Sequence, residues 1–575
     1  MSIHRPLKLA IIGAGPSGFY TASRILSLLP ANSEKGNKVE VHMYDRLPTP
    51  YGLVRYGVAP DHPEVKNCQE KFDGLAADPR FRFFGNVSIG TTTSPTTSTT
   101  RAYTYPDAVH IPLSDLVPYY TTVLFTYGSS LSNPLSRTEH SSSSTAPLGN
   151  VIPALAFVSW YNGHPAYAHL TDQLDLSGID EATVIGHGNV AIDVARMLLK
   201  DPEALAKTDM PTPVVDRLRE SRVRRVTAVG RRGPAQVSFT TKEFREMVNL
   251  PGVAFTPVDS TLMDDARGMV VGDRARKRLM DLMSKAGAKA QSDMNGRQDR
   301  TFELGFLKSP IAFLPSETDP SSSSSSSTDT PKVSQIKWSL NTLLSPPPAP
   351  PVPPHPPAAP ATLTDTTPST TVVARPTGQE TTTRSGLVIE SVGYRSESLS
   401  LSSQGDRSGW AVPFDERRGR IMNDGGRVVD ESGIMVPGFY TAGWVASGPI
   451  GVIASTMQYA FSIASLIIND HFIQPANPAS GSTSTPTSAS SMADGSFSSP
   501  LPTSPETGIP EALVLAGASP APSTSTHTAR SGKQVVEMED WQLIDRAEVR
   551  RGKEKGGGKP REKFLSVPDM LQVLH

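Results

Sequence analysis

GHGNVAIDVARMLL, Gly186 to Leu199, follows the apolar run Ala182 to Ile185 and opens a stretch with one apolar face. Strand, glycine turn and helix in that order are what a dinucleotide fingerprint requires. A second such motif stands earlier: GAGPSG, Gly13 to Gly18, follows Leu9 to Ile12 and precedes Phe19 to Leu29, whose apolar residues recur at helical spacing. Two fingerprints in one chain predict an α/β protein with two Rossmann-like, three-layer nucleotide-binding domains, each a parallel-rich sheet with helices on both faces.

The two motifs differ where cofactor choice is set. In the first, Gly13 permits the tight turn, Gly15 lets the backbone approach a pyrophosphate, and Gly18 lets the helix pack closely on the sheet. The next strand, VEVHMYD, ends in Asp45, an acid placed to hydrogen-bond ribose hydroxyls. In the second, Gly186, His187, Gly188, Asn189 and Val190 form the turn, and Ala191 stands where the first motif has Gly18. The strand after it, VRRVTAVG, runs into Arg231 and Arg232. Guanidinium groups there favour a 2'-phosphate, which a carboxylate would repel. At about 1.5 to 3 kcal/mol per charge-assisted hydrogen bond, the pair would favour NADPH over NADH by roughly a hundredfold to ten-thousandfold. An acidic site suits FAD and a basic one suits NADPH, so the chain is read as passing a hydride from nicotinamide to flavin.

Composition narrows the classes. Of 575 residues, 55 are Lys or Arg and 56 are Asp or Glu, a net charge of -1 that argues against a generic nucleic-acid binder or a polybasic membrane protein. One cysteine, Cys68, excludes an internal disulfide framework, a cysteine-ligated iron-sulfur cluster and the redox pair of a disulfide reductase. No apolar run is long enough for a transmembrane segment, and MSIHRPLK is too short for a signal or transit peptide. No residues are expected to hold a metal. The serine run Ser321 to Ser327, the segment SPPPAPPVPPHPPAAP (Ser345 to Pro360), 91–100 and 474–530 are read as disordered, with inserts at about 316–384 and 474–530.

Collinear blocks then carry a resemblance. PYGLVRYGVAPDHPEVKN (Pro50 to Asn67), FVSWYNG (Phe157 to Gly163), VGRRGPAQVSFTTKEFREM (Val229 to Met247), ARKRLMDLM (Ala275 to Met283), GLVIESVGYRS (Gly386 to Ser396), GFYTAGWVASGPIGVI (Gly438 to Ile453) and GKPREKF (Gly558 to Phe564), with GHGNVAIDVAR, resemble in order the adrenodoxin reductase family of mitochondrial, FAD-containing NADPH:ferredoxin oxidoreductases. The resemblance implies an FAD domain made of residues 1–127 and 386–575, with an NADP domain, 128–385, inserted between. It implies FAD contacts at Ser17, Asp45, Leu53, Ile89, Trp444, Gly451, Val452 and Ile453, and NADP contacts at His187, Gly188, Asn189, Val190, Arg231, Arg232, Glu243 and Gly451. It also implies a 2Fe-2S ferredoxin as electron acceptor, and a mitochondrial matrix setting that allows peripheral attachment at the inner membrane. The ferredoxin would feed monooxygenases or iron-sulfur cluster assembly. An acidic ferredoxin needs a basic docking patch. Arg274, Arg276, Lys277 and Arg278 lie within five residues of an expected helix, and Lys242 and Arg245 add to them.

Asp61 and His62, between two prolines, are the candidate pair for proton handling, the other reading being a rigid site wall. Two departures from the family pattern stand out: Ala446 and Ser447 replace a basic pair, and the stretch between Gly128 and Phe157 is serine-rich. A flavin monooxygenase using the same cofactors is the alternative enzyme. A nucleotide-binding sensor or scaffold that recruits partners through its Pro-rich segment is the alternative of another class.

Overall fold

Leu7–Ile12 (β1) is buried along its whole length, the signature of a central parallel strand. One parallel neighbour is Val39–Tyr44 (β2), with Phe81–Phe84 (β3) beyond it, and the other is Thr122–Phe125 (β4). The helix Pro16–Leu28 (α1) follows the first glycine turn and places Phe19, Ile25 and Leu26 against the sheet. This computed structural model describes residues 5–92, 105–135, 139–140, 148–292, 299–315, 330–344, 372–400, 411–451, 453–472, 501–518 and 533–575.

The chain next lays down Val151–Pro153 (β5), Glu181–Ile185 (β6), Arg225–Val229 (β7), Val253–Phe255 (β8) and Arg300–Gly305 (β9). After an excursion through Lys308–Pro315 (β10), Val333–Leu344 (β11) and Val373–Arg384 (β12), it returns as Leu387–Glu390 (β13). The second sheet has the order β5-β13-β6-β7-β9-β8, every pair parallel. Asn189–Leu199 (α2), Thr241–Val248 (α3) and Arg274–Ser292 (α4) share its core through Ile192, Val194, Phe244, Leu279 and Met280.

The C-terminal part then re-enters the first sheet. Asn423–Asp424 (β14) and Arg427–Val429 (β15) are antiparallel additions, and Met435–Thr441 (β16) pairs in parallel with β4, giving the order β14-β15-β16-β4-β1-β2-β3. Ile453–Phe472 (α5) packs on α1 through Ala460 and Ile463, and Met538–Lys555 (α6) closes the same core through Trp541 and Ile544. Each sheet with its helices forms one module of the molecule. The architecture is the Rossmann-type α/β arrangement that two fingerprints call for.

Three expectations change. The expected disordered insert at 316–384 contains β11 and β12, an antiparallel pair that runs from Gln335 with Arg384 to Leu344 with Val373, its register shifting between Ser339 and Asn341. Val333, Ile336 and Trp338 fill a core shared with Val229 and Val388 of the second sheet, and Trp338 Nε1 donates to Thr383 Oγ1 at 2.8 Å. Averaging composition over the window hid these alternating residues. Within 474–530, residues 501–518 are packed: Leu513 is fully buried beside Ile509, and the Lys8 ammonium donates to the carbonyls of Glu506 and Gly508. The Ser321 to Ser327 run, Ser345 to Pro360 and the remainder of 474–530 lie outside the described residues, as do 93–100. Lastly, β13 lies between β5 and β6 in the second sheet, so the expected division at 385/386 falls too early. A strand's partners are not written in its own sequence.

Candidate functional site

The carboxyl ends of β1, β2 and β4 release Gly13, Asp45 and Thr126 into the wall of one cavity of about 400 Å³. This is where open parallel sheets hold ligands. Gly13 has φ +107, and a Cβ on it would come within 2.4 Å of Tyr127 Cα, so only glycine turns the chain here. Gly15 is the opposite case. A Cβ there meets no atom within 4 Å, which leaves its backbone open to a phosphate. Gly18 lies outside the cavity lining, its Cα packed close under the Gly13 carbonyl.

Two further observations test the fit of a dinucleotide. Ser17 Oγ is buried in the lining with no protein hydrogen-bond partner, as a hydroxyl reserved for a phosphate oxygen would be. The Asp45 carboxylate accepts from Ala14 N at 2.9 Å and Leu47 N at 3.0 Å, which fixes it at the cavity wall. Burial raises its pKa, and those backbone donors work against the rise. Leu53, Trp444, Gly451 and Ile453 also line the cavity, Trp444 half-buried with its ring 6.2 Å from that of Tyr394. Ile89 does not: it is a core residue beside Val87 and Ile111. Val452 lies outside the described residues.

The same cavity is lined from the second module by Asn189, Val190, Asp193, Lys242 and Glu243. Asn189 Oδ1 accepts from Thr240 N at 2.8 Å, fixing the start of α3 against the start of α2. His187 is turned away from the lining. Its Nε2 lies 2.9 Å from the Ala228 carbonyl, its ring packs on Phe306, and burial drives its pKa down to about 4. Any cofactor contact it makes is therefore left to its backbone. Gly186 and Gly188 likewise lie outside the lining; Gly186 has φ +136 and no room for a Cβ against the Ser391 carbonyl.

Arg231 and Arg232 follow β7, away from this cavity. Loss of water, with Arg231 and Arg276 as positive neighbours, lowers the pKa of Arg232. Arg276 is paired with Asp273 at 3.4 Å, whereas Arg231 and Arg232 have no acidic partner among the described residues and so favour an anion. Arg276, expected in a docking patch, is instead half-buried and hydrogen-bonded to the Ala235 carbonyl beside this loop. The β-hairpin braces it: Asn341 Nδ2 donates to the Arg231 carbonyl at 3.2 Å. Arg274, Lys277, Arg278, Arg245 and Lys242 are exposed.

Asp61, the expected proton carrier, is held by two cations. Its carboxylate receives two hydrogen bonds from the buried Arg196 and one from Lys200, at 2.7 to 3.1 Å. Those cations outweigh burial and hold its pKa below the ordinary value. His62 does line the cavity, with Nε2 3.0 Å from Glu246. His62, Glu243 and Glu246 bring possible metal-ligand atoms within 4.8 Å of one another, but Arg196 already stands 3.5 Å from both carboxylates.

Sequence reasoning missed part of the lining. Arg46 pairs with Glu397 at 3.1 Å, Ser130 donates to the same carboxylate at 2.8 Å, and Tyr105 lies under the Arg46 guanidinium. His164 packs edge-on against Tyr56, and burial pushes its pKa to about 3, so it is neutral. Arg46 adjoins Asp45 and was within reach of the motif reading; Glu397 reaches the site only through the fold.

No family model matches the chain. It is 34% identical over 98% of its length to the mitochondrial NADPH:adrenodoxin oxidoreductase of Drosophila melanogaster, covering 93% of that protein. It is 33% identical to the human protein of that name, over 99% of this chain and 92% of the relative. To the NADPH-ferredoxin reductase FprA of Mycobacterium tuberculosis (strain CDC 1551 / Oshkosh) it is 31% identical over 99% of both. The solved structure of Mycobacterium tuberculosis FprA in complex with NADPH superposes with a TM-score of 0.70 at 29% identity, covering 99% of this chain and 100% of that one.

Proposed function

The chain belongs to the adrenodoxin reductase family of FAD- and NADPH-dependent oxidoreductases, and from that premise we propose that it takes a hydride from NADPH and delivers single electrons to a 2Fe-2S ferredoxin. The observation that carries the reading is the single cavity lined from both modules, by Gly13 to Ser17 on one side and by Asn189, Val190 and Glu243 on the other. FAD, when bound, supplies the conversion of a hydride pair into single electrons. The chain's own residues bind and orient. Gly15 and the Ser17 hydroxyl receive phosphate, Asp45 holds ribose, and Leu53, Trp444, Gly451 and Ile453 wall the ring system, with α5 directing its positive end there. Asn189, Val190 and Glu243 position the nicotinamide half, and Arg231, Arg232 and Arg276 take the 2'-phosphate.

In this reading residues 1–127 and the part after about 391 make the FAD domain, and the segment between them is the inserted NADP domain. Lys242, Arg245, Arg274, Lys277 and Arg278 form the docking face for an acidic ferredoxin in the mitochondrial matrix, where steering by charge speeds encounter. Among the described residues no helix is long and apolar enough to cross a membrane. The test is anaerobic mixing of FAD-loaded protein with NADPH or NADH, then cytochrome c reduction with and without a 2Fe-2S ferredoxin. The reading expects fast bleaching by NADPH, slow bleaching by NADH and a cytochrome c signal that needs ferredoxin. Reducing equivalents passing only to oxygen would favour a monooxygenase, and FAD that neither nucleotide reduces would favour a scaffold.

A further inference from the structure

The C-terminal GKPREKF segment, which the cofactor reading does not use, is wedged between the two modules. Lys563 is 1% exposed and has three acceptors: the Arg55 carbonyl at 3.3 Å, the Asn162 carbonyl at 3.0 Å and Asp209 Oδ2 at 2.9 Å. Arg55 belongs to the turn that also carries the cavity residue Leu53, whereas Asp209 precedes the helix Thr212–Arg219 of the second module. An ammonium has three donors, so every one is used. The neighbouring residues of the segment grip the same element: Glu562 accepts from Thr212 N and Oγ1 at 2.9 and 2.8 Å, and Lys559 donates to the Met210 carbonyl.

The charges around Lys563 are unbalanced. Asp209 also accepts both bonds from Lys66, at 2.9 and 2.7 Å, so one carboxylate serves two buried ammoniums. Arg55 lies on the other side, its charge met by Glu548, which also receives Arg561. Glu562 is engaged by Lys559 at 3.2 Å. Burial, then the positive neighbours Lys66 and Arg55, bring the Lys563 pKa down to about 7 despite Asp209. On deprotonation the amine keeps two donors and turns a lone pair toward one of its three oxygens. One hydrogen bond is then lost, while the cost of burying the charge and its repulsion from Lys66 and Arg55 are relieved.

Resting on the hydride-transfer reading above, we propose that Lys563 is a positioning residue, a pin whose hydrogen bonds to both modules hold them at the separation needed for rapid reduction of FAD by NADPH. A misplacement of about 1 Å is enough to cost on the order of a hundredfold in rate. A pH profile of the rate separates this from a merely structural role. The unfolded lysine keeps its proton to a higher pH than the folded one, so through this group the unfolded state binds more protons between about pH 7 and 10 and stability rises with pH. The same linkage governs the contact between the modules, where an ammonium released to water regains its ordinary pKa: the contact tightens, and the rate rises, as pH passes 7.

The experiment is stopped-flow bleaching of FAD by NADPH between pH 6 and 9 in full-length wild type, Lys563→Met and Lys66→Met. Hydrogen exchange of the peptide spanning 208–216 is followed in the same proteins without nucleotide. The expected wild-type rate rises about tenfold around neutral pH with KM for NADPH unchanged. Lys563→Met should lie flat at the slow limit, with exchange at 208–216 about tenfold faster. Lys66→Met removes a competing cation and should move the midpoint upward by about one pH unit. A wild-type profile with unchanged exchange in Lys563→Met overturns the proposal. If that variant fails to retain FAD, an unmoved midpoint in Lys66→Met overturns it. Should NADPH not bleach the wild type at all, the functional reading fails, and exchange alone decides: faster in Lys563→Met supports the pin, unchanged overturns it.

Discussion

At the scale of single residues, the two fingerprints part company in what their side chains leave open. Ser17 Oγ is buried without a protein partner, so Ser17→Ala should leave the thermal stability of the FAD-free protein unchanged or slightly raised. The same change should weaken FAD retention about tenfold to a hundredfold, the worth of one bond to a charged phosphate, as read by flavin titration. Arg231 and Arg232 act on the other cofactor. Their double alanine variant should lower the preference for NADPH over NADH by at least about a hundredfold, through KM for NADPH rather than through the limiting rate. Steady-state kinetics with both nucleotides would check it, and an unchanged preference would remove the pair from the phosphate site. Asp61 is legible in the sequence as a tempting acid, yet its partners Arg196 and Lys200 lie over a hundred residues away. The pattern of one loop could not say whether a carboxylate meets a proton or two cations.

At the scale of elements, the fingerprints predicted their own strand, turn and helix because the glycine positions, the apolar run and the helical period agree locally. The β-hairpin escaped because serine, threonine and proline outnumber the residues that anchor it. Its strands stay paired up to Leu344 and Val373, so the chain between them is not needed to hold their register. Replacing residues 345–372 by Asn-Gly, a two-residue hairpin loop, should leave the melting temperature equal or slightly higher, since a shorter loop loses less entropy on closure. Bleaching by NADPH should be unaffected, because Asn341 still braces the Arg231 loop. A fall of more than a few degrees in a thermal melt would give the replaced segment a structural part. Trp338→Ala is the contrasting change, expected to cost about 3 to 5 kcal/mol in denaturant unfolding, because a fully buried indole and its hydrogen bond are lost together.

At the scale of the whole molecule, ion pairs join distant parts of the chain. Glu548 on α6 is fully buried against Arg55, so Glu548→Ala leaves a buried guanidinium unpaired and should destabilise by about 3 to 5 kcal/mol. Chemical denaturation measures it; a loss below about 1 kcal/mol would mean that Arg561 and its surroundings had relaxed to release the charge. Electron delivery to an acidic ferredoxin should fall with ionic strength more steeply than bleaching by NADPH does, because docking depends on exposed charges that salt screens. By itself the sequence determined that there are two dinucleotide turns, which cofactor each suits, and the family, since those rest on residues no more than 46 positions apart, Gly186 to Arg232, and on collinear blocks. Only the tertiary structure decided that β13 sits inside the second sheet, that His187 faces the core, that Glu397 meets Arg46, and that Lys563 stands between the modules. Each of these depends on which distant surfaces bury together, and burial is a property of the packed chain that no local spacing encodes.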